Sequence, residues 1–270
     1  AYAGWGIWAF VIAILVRDIF TASVFRQMSS PPWKPYRLGT LRSSLRFSVF
    51  YQLGAICNTA WFAFPPIVIG RIVSEAAVGY ANWAYNLALY PLFVCNAISR
   101  VYLPALSKSI HDVAALRKKL EDAIRLNAAI ALPACAVLGS LIDPITILIF
   151  TDKWIPAKPL VLAYTVAAAV SAVAMPTYEA INAQGDSAFN FKVSLLNVGL
   201  IWTVGPIVVA WKGIIGFAYF LLPLQLTWGL PIIRVRNVLG VGIWPQLKLS
   251  LALAGMLLLI IFSGPPTLRG

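Results

Sequence analysis

Charge is scarce in this chain. Of its 270 residues only 11% are Asp, Glu, Lys or Arg, whereas 60% are hydrophobic, and the mean hydropathy is +0.83. A water-soluble domain carries about a quarter charged residues and about half apolar ones, so a fold wetted on all sides is excluded. Histidine occurs once, at His111, and cysteine three times, at Cys57, Cys95 and Cys135, in different apolar runs with no Cys-x-x-Cys spacing. Such scattering speaks against a metal site or a redox pair and reads as buried, inert thiols. There is no Gly-x-Ser-x-Gly elbow, no His-Glu-x-x-His pair and no phosphate-cradling Gly-rich loop, so hydrolase, zinc-protease and nucleotide chemistry lack their usual signatures. Neither enzymatic activity nor a cofactor is expected. An initiating methionine and a secretory signal are also missing: Ala1 opens directly into an apolar run, which leads to the expectation that further spans precede it.

What the chain has in quantity is long apolar runs. Crossing about 30 Å of hydrocarbon takes roughly 20 helical residues, and eight runs of that order are separated by polar or turn-forming clusters: Gly4 to Phe25, Phe47 to Ile69, Ala77 to Leu103, Ile124 to Phe150, Pro159 to Ala183, Asn190 to Trp211, Ile214 to Ile233 and Gln246 to Phe262. They are continuous rather than alternating, which favours helices over barrel strands. The expected class is all-α, a multi-pass membrane protein with about eight transmembrane helices. The net charge of +12 follows from topology rather than from nucleic acid. Fifteen of the 21 Lys and Arg fall in the loops after the first, third, fifth and seventh runs, and five on the opposite side. By the positive-inside rule, both ends of the chain then face outward.

Polar groups within or beside these runs are the candidates for function. From Ser107 to Arg125, Val113, Leu116, Leu120 and Ile124 share one helical face and Arg117, Lys118, Lys119, Glu121 and Asp122 take another. This reads as an amphipathic helix lying at the inner interface, held by anionic lipid. Asp112 is placed to cap its start, and Glu121 lies four residues before Arg125 in the order that favours pairing. Arg17 and Asp18 sit inside the first run, pointing about 100° apart and so under no need to pair; Arg17 either faces a cavity or snorkels inward. Asp143, before Pro144, marks a break in the fourth run, and Glu179 lies near the inner end of the fifth. Gln52, Asn58, Asn82, Asn86 and Asn96 give the second and third runs amides that could line a sugar path or join helices to one another. Prolines such as Pro65, Pro66, Pro91, Pro133 and Pro176 supply kinks.

The run Gly70-Arg71, Gly79-Tyr80, Ala84-Tyr85-Asn86-Leu87-Ala88, Pro91 and Ser99-Arg100-Val101-Tyr102-Leu103-Pro104-Ala105-Leu106-Ser107 resembles the polysaccharide biosynthesis family of lipid-linked oligosaccharide flippases, within the multidrug, oligosaccharidyl-lipid and polysaccharide exporter superfamily. Phe150-Thr151-Asp152-Lys153-Trp154-Ile155-Pro156-Ala157 is similar to that family's turn after its ninth helix, Ala183-Gln184-Gly185 to the turn after its tenth, and Gly4-Trp5-Gly6-Ile7-Trp8-Ala9 to its sixth helix.

The resemblance implies helices six to thirteen of about fourteen: residues 1–45 as the last helix of an N-terminal bundle with a basic cytoplasmic linker, 46–233 as a C-terminal six-helix bundle, and 234–270 as an additional helix. It implies one bundle of a two-bundle, alternating-access transporter in a bacterial inner membrane. The implied task is export of undecaprenyl-diphosphate-linked sugar units, with the lipid-linked oligosaccharide, membrane lipids and other polysaccharide-assembly proteins as partners, and no nucleic acid. On this reading Arg17 and Arg100 are the candidate diphosphate contacts and Asn58, Asn82 and Asn86 the candidate sugar contacts; Arg100 also reads as an inner-surface anchor. Two positions depart from the family pattern: Pro65-Pro66 stands where several members have an acidic residue, and Asp186 where a basic one is usual. The alternatives are a drug exporter or lipid II flippase of the same superfamily, and a membrane glycosyltransferase (polymerase or ligase). The latter needs a large outer loop, and no outer loop here exceeds about a dozen residues.

Overall fold

A computed structural model describes residues 8–28, 38–242, 244–248, 251, 252 and 255, and all regular structure among them is helical. The chain divides into two compact units, Ala1–Ser44 and Leu45–Gly270. In the first, α1 (Trp8–Met28) is a 21-residue apolar helix. Its hydroxyls are satisfied within the helix, Thr21 Oγ1 donating to the Arg17 carbonyl and Ser23 Oγ to that of Ile19, as suits a helix away from water. Arg17 and Asp18 do pair, Nε to Oδ1 at 3.0 Å. Helical geometry left this pairing open, and the long guanidinium side chain is able to span the roughly 100° between the two residues.

Among the described residues, five stretches are long and apolar enough to cross a membrane: Phe47–Ile72, Glu75–Ser107, Val113–Ser140, Asp152–Ala183 and Ser187–Leu239. They follow the expected second to seventh runs in order; the expected eighth lies largely outside the described residues. The first stretch begins within α2 (Leu38–Phe64), widens through a π-turn at Pro65–Ile69 and ends in α3 (Gly70–Ile72). Adjacent prolines remove two amide donors there, and the backbone relaxes into the wider turn. Ser74 then caps α4 (Glu75–Leu89), accepting from Ala77 N at 3.1 Å. A 3-10 turn around Pro91 leads into α5 (Phe93–Ser107).

α6 (Val113–Ser140) is one continuous 28-residue helix. Asp112 caps it as expected, Oδ1 accepting from Ala115 N at 3.0 Å. The separate interfacial helix expected over Ser107–Arg125 is not what forms. Leu116, Leu120 and Ile124 are buried, packing with Tyr102, Leu106, Val235, Leu239 and Val241 rather than on lipid. At about 1.5 Å per residue α6 runs about 42 Å, more than the hydrocarbon needs, so its charged first turns stand beyond it. Glu121 pairs with Arg117 at 2.9 Å, not with Arg125, which instead donates Nε to Gln246 Oε1 at 2.9 Å. The helix ends at Leu141 (φ −96°, ψ 13°), just before the expected Asp143 break, and α7 (Ile142–Ile145) follows.

After a π-turn and a 3-10 turn, α8 (Lys158–Ala183) runs through the centre of the second unit, packed against α4, α5 and α6 and against the helices that follow it. Ala163, Ala168, Ala172, Ala174 and Ala180 are all buried on it, and small side chains let neighbouring backbones approach. Gly185 (φ 81°) turns the chain, as the Ala-x-Gly phrase requires.

The last stretch has 53 residues, about 80 Å of helix and too long for one crossing. Its first part, α9 (Ser187–Leu224), folds back at Gly213 (φ 59°, ψ −147°) into segments 187–212 and 214–224. Asn197 Nδ2 reaches Thr227 Oγ1 at 2.6 Å across the fold, and a Cβ on Gly216 would lie 3.0 Å from the Val208 carbonyl oxygen. This hairpin separates the expected sixth and seventh runs. A 3-10 turn (Gln225–Trp228) and α10 (Gly229–Leu239) complete it, closed by Gly240 (φ 65°).

Contacts sort the loops of this unit into two ends. At one, Trp83 stacks on Trp154, and Phe64 meets Phe217 near the Gly213 fold. At the other, Ser187 bonds Phe47, Asp186 pairs with Arg234, and Glu121 accepts from Gly242 N. The second end holds Arg117, Lys118, Lys119, Arg125, Lys192, Arg234 and Arg236; the first holds Arg71, Lys153, Lys158 and Lys212.

Candidate functional site

A cavity of about 470 Å³ opens inside the second unit, within the size range of small-molecule sites. α2 contributes Cys57, Asn58, Trp61 and Phe62; α4 and α5 contribute Tyr85 and Asn96; α9 and the turn after it contribute Ser194, Asn197, Gln225 and Trp228. α8 forms one wall through Tyr164, Ala168, Ser171, Met175 and Tyr178. These five recur every three or four residues and so lie on one helical face, covering about 21 Å of helix between the two tyrosines.

The aromatic rings are fixed in pairs. Tyr85 meets Tyr164 edge to face, centroids 5.5 Å apart at 78°, and Tyr178 meets Trp228 at 5.1 Å and 57°. Inter-helix hydrogen bonds hold the wall in place. Asn127 of α6, fully buried, donates Nδ2 to the Ala172 carbonyl at 3.0 Å and accepts from Tyr102 Oη at 2.8 Å, tying α5 and α6 to α8. Ser99 Oγ bonds Met175 Sδ from α5, and Asn190 Nδ2 bonds Asn182 Oδ1 and the Tyr178 carbonyl at the α8–α9 corner.

The candidate residues read from sequence fare differently. Asn58 lines the cavity, and so does Asn96 from the wider set of amides. Asn82 and Asn86 do not: both are exposed, and Asn86 Nδ2 donates to the Asn82 carbonyl one turn back. Arg100 is exposed on α5 and outside the lining, because Cys95, Tyr102 and Leu106 take that helix's buried face. Arg17 belongs to the first unit, exposed and paired with Asp18. Glu179, next to Tyr178, is half-buried but also outside the lining. Among the described residues, no charged side chain lines the cavity. Sequence reading missed the aromatic and hydroxyl face of α8; its spacing was the available signal, and weighing charges and amides alone passed over it.

The fold and cavity define a polytopic α-helical membrane protein with an internal, uncharged polar-aromatic site. The chain belongs to the polysaccharide biosynthesis protein family, which matches it over residues 1–159. It is 24% identical over 217 residues to an uncharacterized membrane protein of the cps region of Klebsiella pneumoniae, covering 80% of this chain and 45% of that protein. It is 24% identical over 227 residues to the teichuronic acid biosynthesis protein TuaB of Bacillus subtilis, covering 79% and 47%. To the lipopolysaccharide biosynthesis protein WzxC of Escherichia coli it is 25% identical over 189 residues, covering 68% and 38%. The chain thus spans about half the length, or less, of these relatives. No solved structure matches it.

Proposed function

We propose that this chain is part of an exporter that turns a lipid-diphosphate-linked glycan from the inner to the outer leaflet of a bacterial inner membrane. The observation that carries the reading is the cavity: within apolar helices of a polysaccharide biosynthesis protein, it gathers amides, hydroxyls and aromatic faces. A sugar presents hydroxyls that need donors and acceptors and C–H faces that pack on rings. Drug-like apolar cations would call for a carboxylate, and the described lining residues include none. The concentration of Lys and Arg at the Arg117–Arg236 end supports a reading in which that end faces the cytoplasm. The two outer-end π-turns and the Gly213 fold are the places where the helices can bend as access alternates.

Deleting the gene in its own host tests this. The mutant should accumulate lipid-linked repeat units in the inner leaflet and lose surface glycan, both restored by the complete gene product. Normal surface glycan in the mutant, or restoration of drug efflux rather than of glycan, would refute it.

A further inference from the structure

We infer that the cavity is a subsite for uncharged sugar rings and that the diphosphate of a lipid-linked glycan is held outside it; this rests on the exporter reading above. Among the described residues, those that line the cavity carry no cation to meet an anion. Placing a phosphate or carboxylate there would strip its water with no opposite charge in return, which is costly in a low-dielectric interior.

The orientation of two amides reinforces this. Thr227 Oγ1 donates its hydrogen to the Leu224 carbonyl, so towards Asn197 it can only accept, and Asn197 must present its NH₂ there. Gln225 Nε2 donates to the Leu221 carbonyl, an acceptor by nature. Each of these two amides thus has one N–H engaged within the protein, which fixes its orientation and leaves its carbonyl oxygen and second N–H to meet a ligand, beside the further lining amides of Asn58 and Asn96. Such neutral donors and acceptors match hydroxyl groups, which both donate and accept, while offering an anion no opposite charge. Together with the rings of Trp61, Tyr164 and Trp228, they favour a neutral pyranose over a uronate or a phosphate.

Cys57 lines the cavity while Cys95 and Cys135 do not, which gives a reporter. In the purified complete gene product, with Cys57 as sole cysteine, alkylation by N-ethylmaleimide is timed with maltotriose, cellotriose or chitotriose, with trigalacturonate, and with inorganic pyrophosphate. Ser194→Cys in a Cys57→Ala background serves as a second reporter. At least one neutral trisaccharide should slow alkylation by about threefold or more, the scale of a weak site near saturation, and Trp61→Ala should remove the protection. Trigalacturonate and pyrophosphate should leave the rate unchanged. Equal protection by either anion, no protection by any neutral sugar, or failure of both reporters to react in sugar-free protein would overturn the inference. Protection in a protein that does not flip lipid-linked glycan would sink the exporter reading alone; flipping without protection would sink only the subsite.

Discussion

Asn127 shows how a single polar side chain organises this interior. Buried among apolar helices, its amide is the shared partner of Tyr102 and the Ala172 carbonyl, and a group with no access to water must find its bonds within the protein. Asn127→Ala strands both partners and should cost about 1–2 kcal/mol, read as a lowered unfolding temperature in detergent. Tyr102→Phe should cost less by itself and add little in the Asn127→Ala background, since the shared bond is already gone. Fully additive losses would mean the two groups act independently. At this scale the sequence was only partly legible. Asn58 and Asn96 could be placed because an amide in an apolar run is conspicuous. Tyr164, Ser171 and Tyr178 share a face of α8 that spacing alone can reveal, but whether that face meets a cavity or another helix depends on how α2 and α9 fold back on it. Arg100 stands outside the lining for the same reason: its neighbours Tyr102 and Leu106, not its charge, decide which way α5 turns.

The element that departs most from sequence expectation is α6. Its first half reads as an amphipathic surface helix because charges line one side and leucines the other. Periodicity, however, cannot say whether the apolar stripe meets lipid or protein, and here Leu116 and Leu120 meet α10 and the segment through Val241. Continuity of the helix is testable. Leu126 is exposed in mid-helix, so Leu126→Pro removes no core contact but breaks the Asp122 carbonyl bond and clashes with it, at a cost of about 3 kcal/mol or more. The expected result is marked destabilisation or loss of folded protein. A melting temperature equal to wild type would indicate two jointed helices, the arrangement that composition suggested. Other boundaries were legible because their residues have few options: Asp112 as a cap, the turn glycine Gly185 and the fold at Gly213 each do what their chemistry dictates.

At the scale of the whole molecule, scarce charge and long apolar runs point to a bilayer as solvent, and the distribution of Lys and Arg between loops underlies the proposed orientation. Neither reveals the cavity, which is assembled from segments as far apart as Cys57 and Trp228, and no run of sequence displays it.

The most direct measurement reconstitutes the complete gene product in liposomes with a dye-tagged undecaprenyl-diphosphate glycan of neutral sugars and follows the glycan's arrival at the opposite leaflet with an impermeant lectin. Protein-dependent transfer is expected, slowed about fivefold or more by Trp61→Ala or Tyr178→Ala, the loss of about one good packing contact, with unfolding temperatures near wild type. Transfer no faster than in protein-free vesicles, or transfer indifferent to both substitutions, would contradict a sugar path through this cavity.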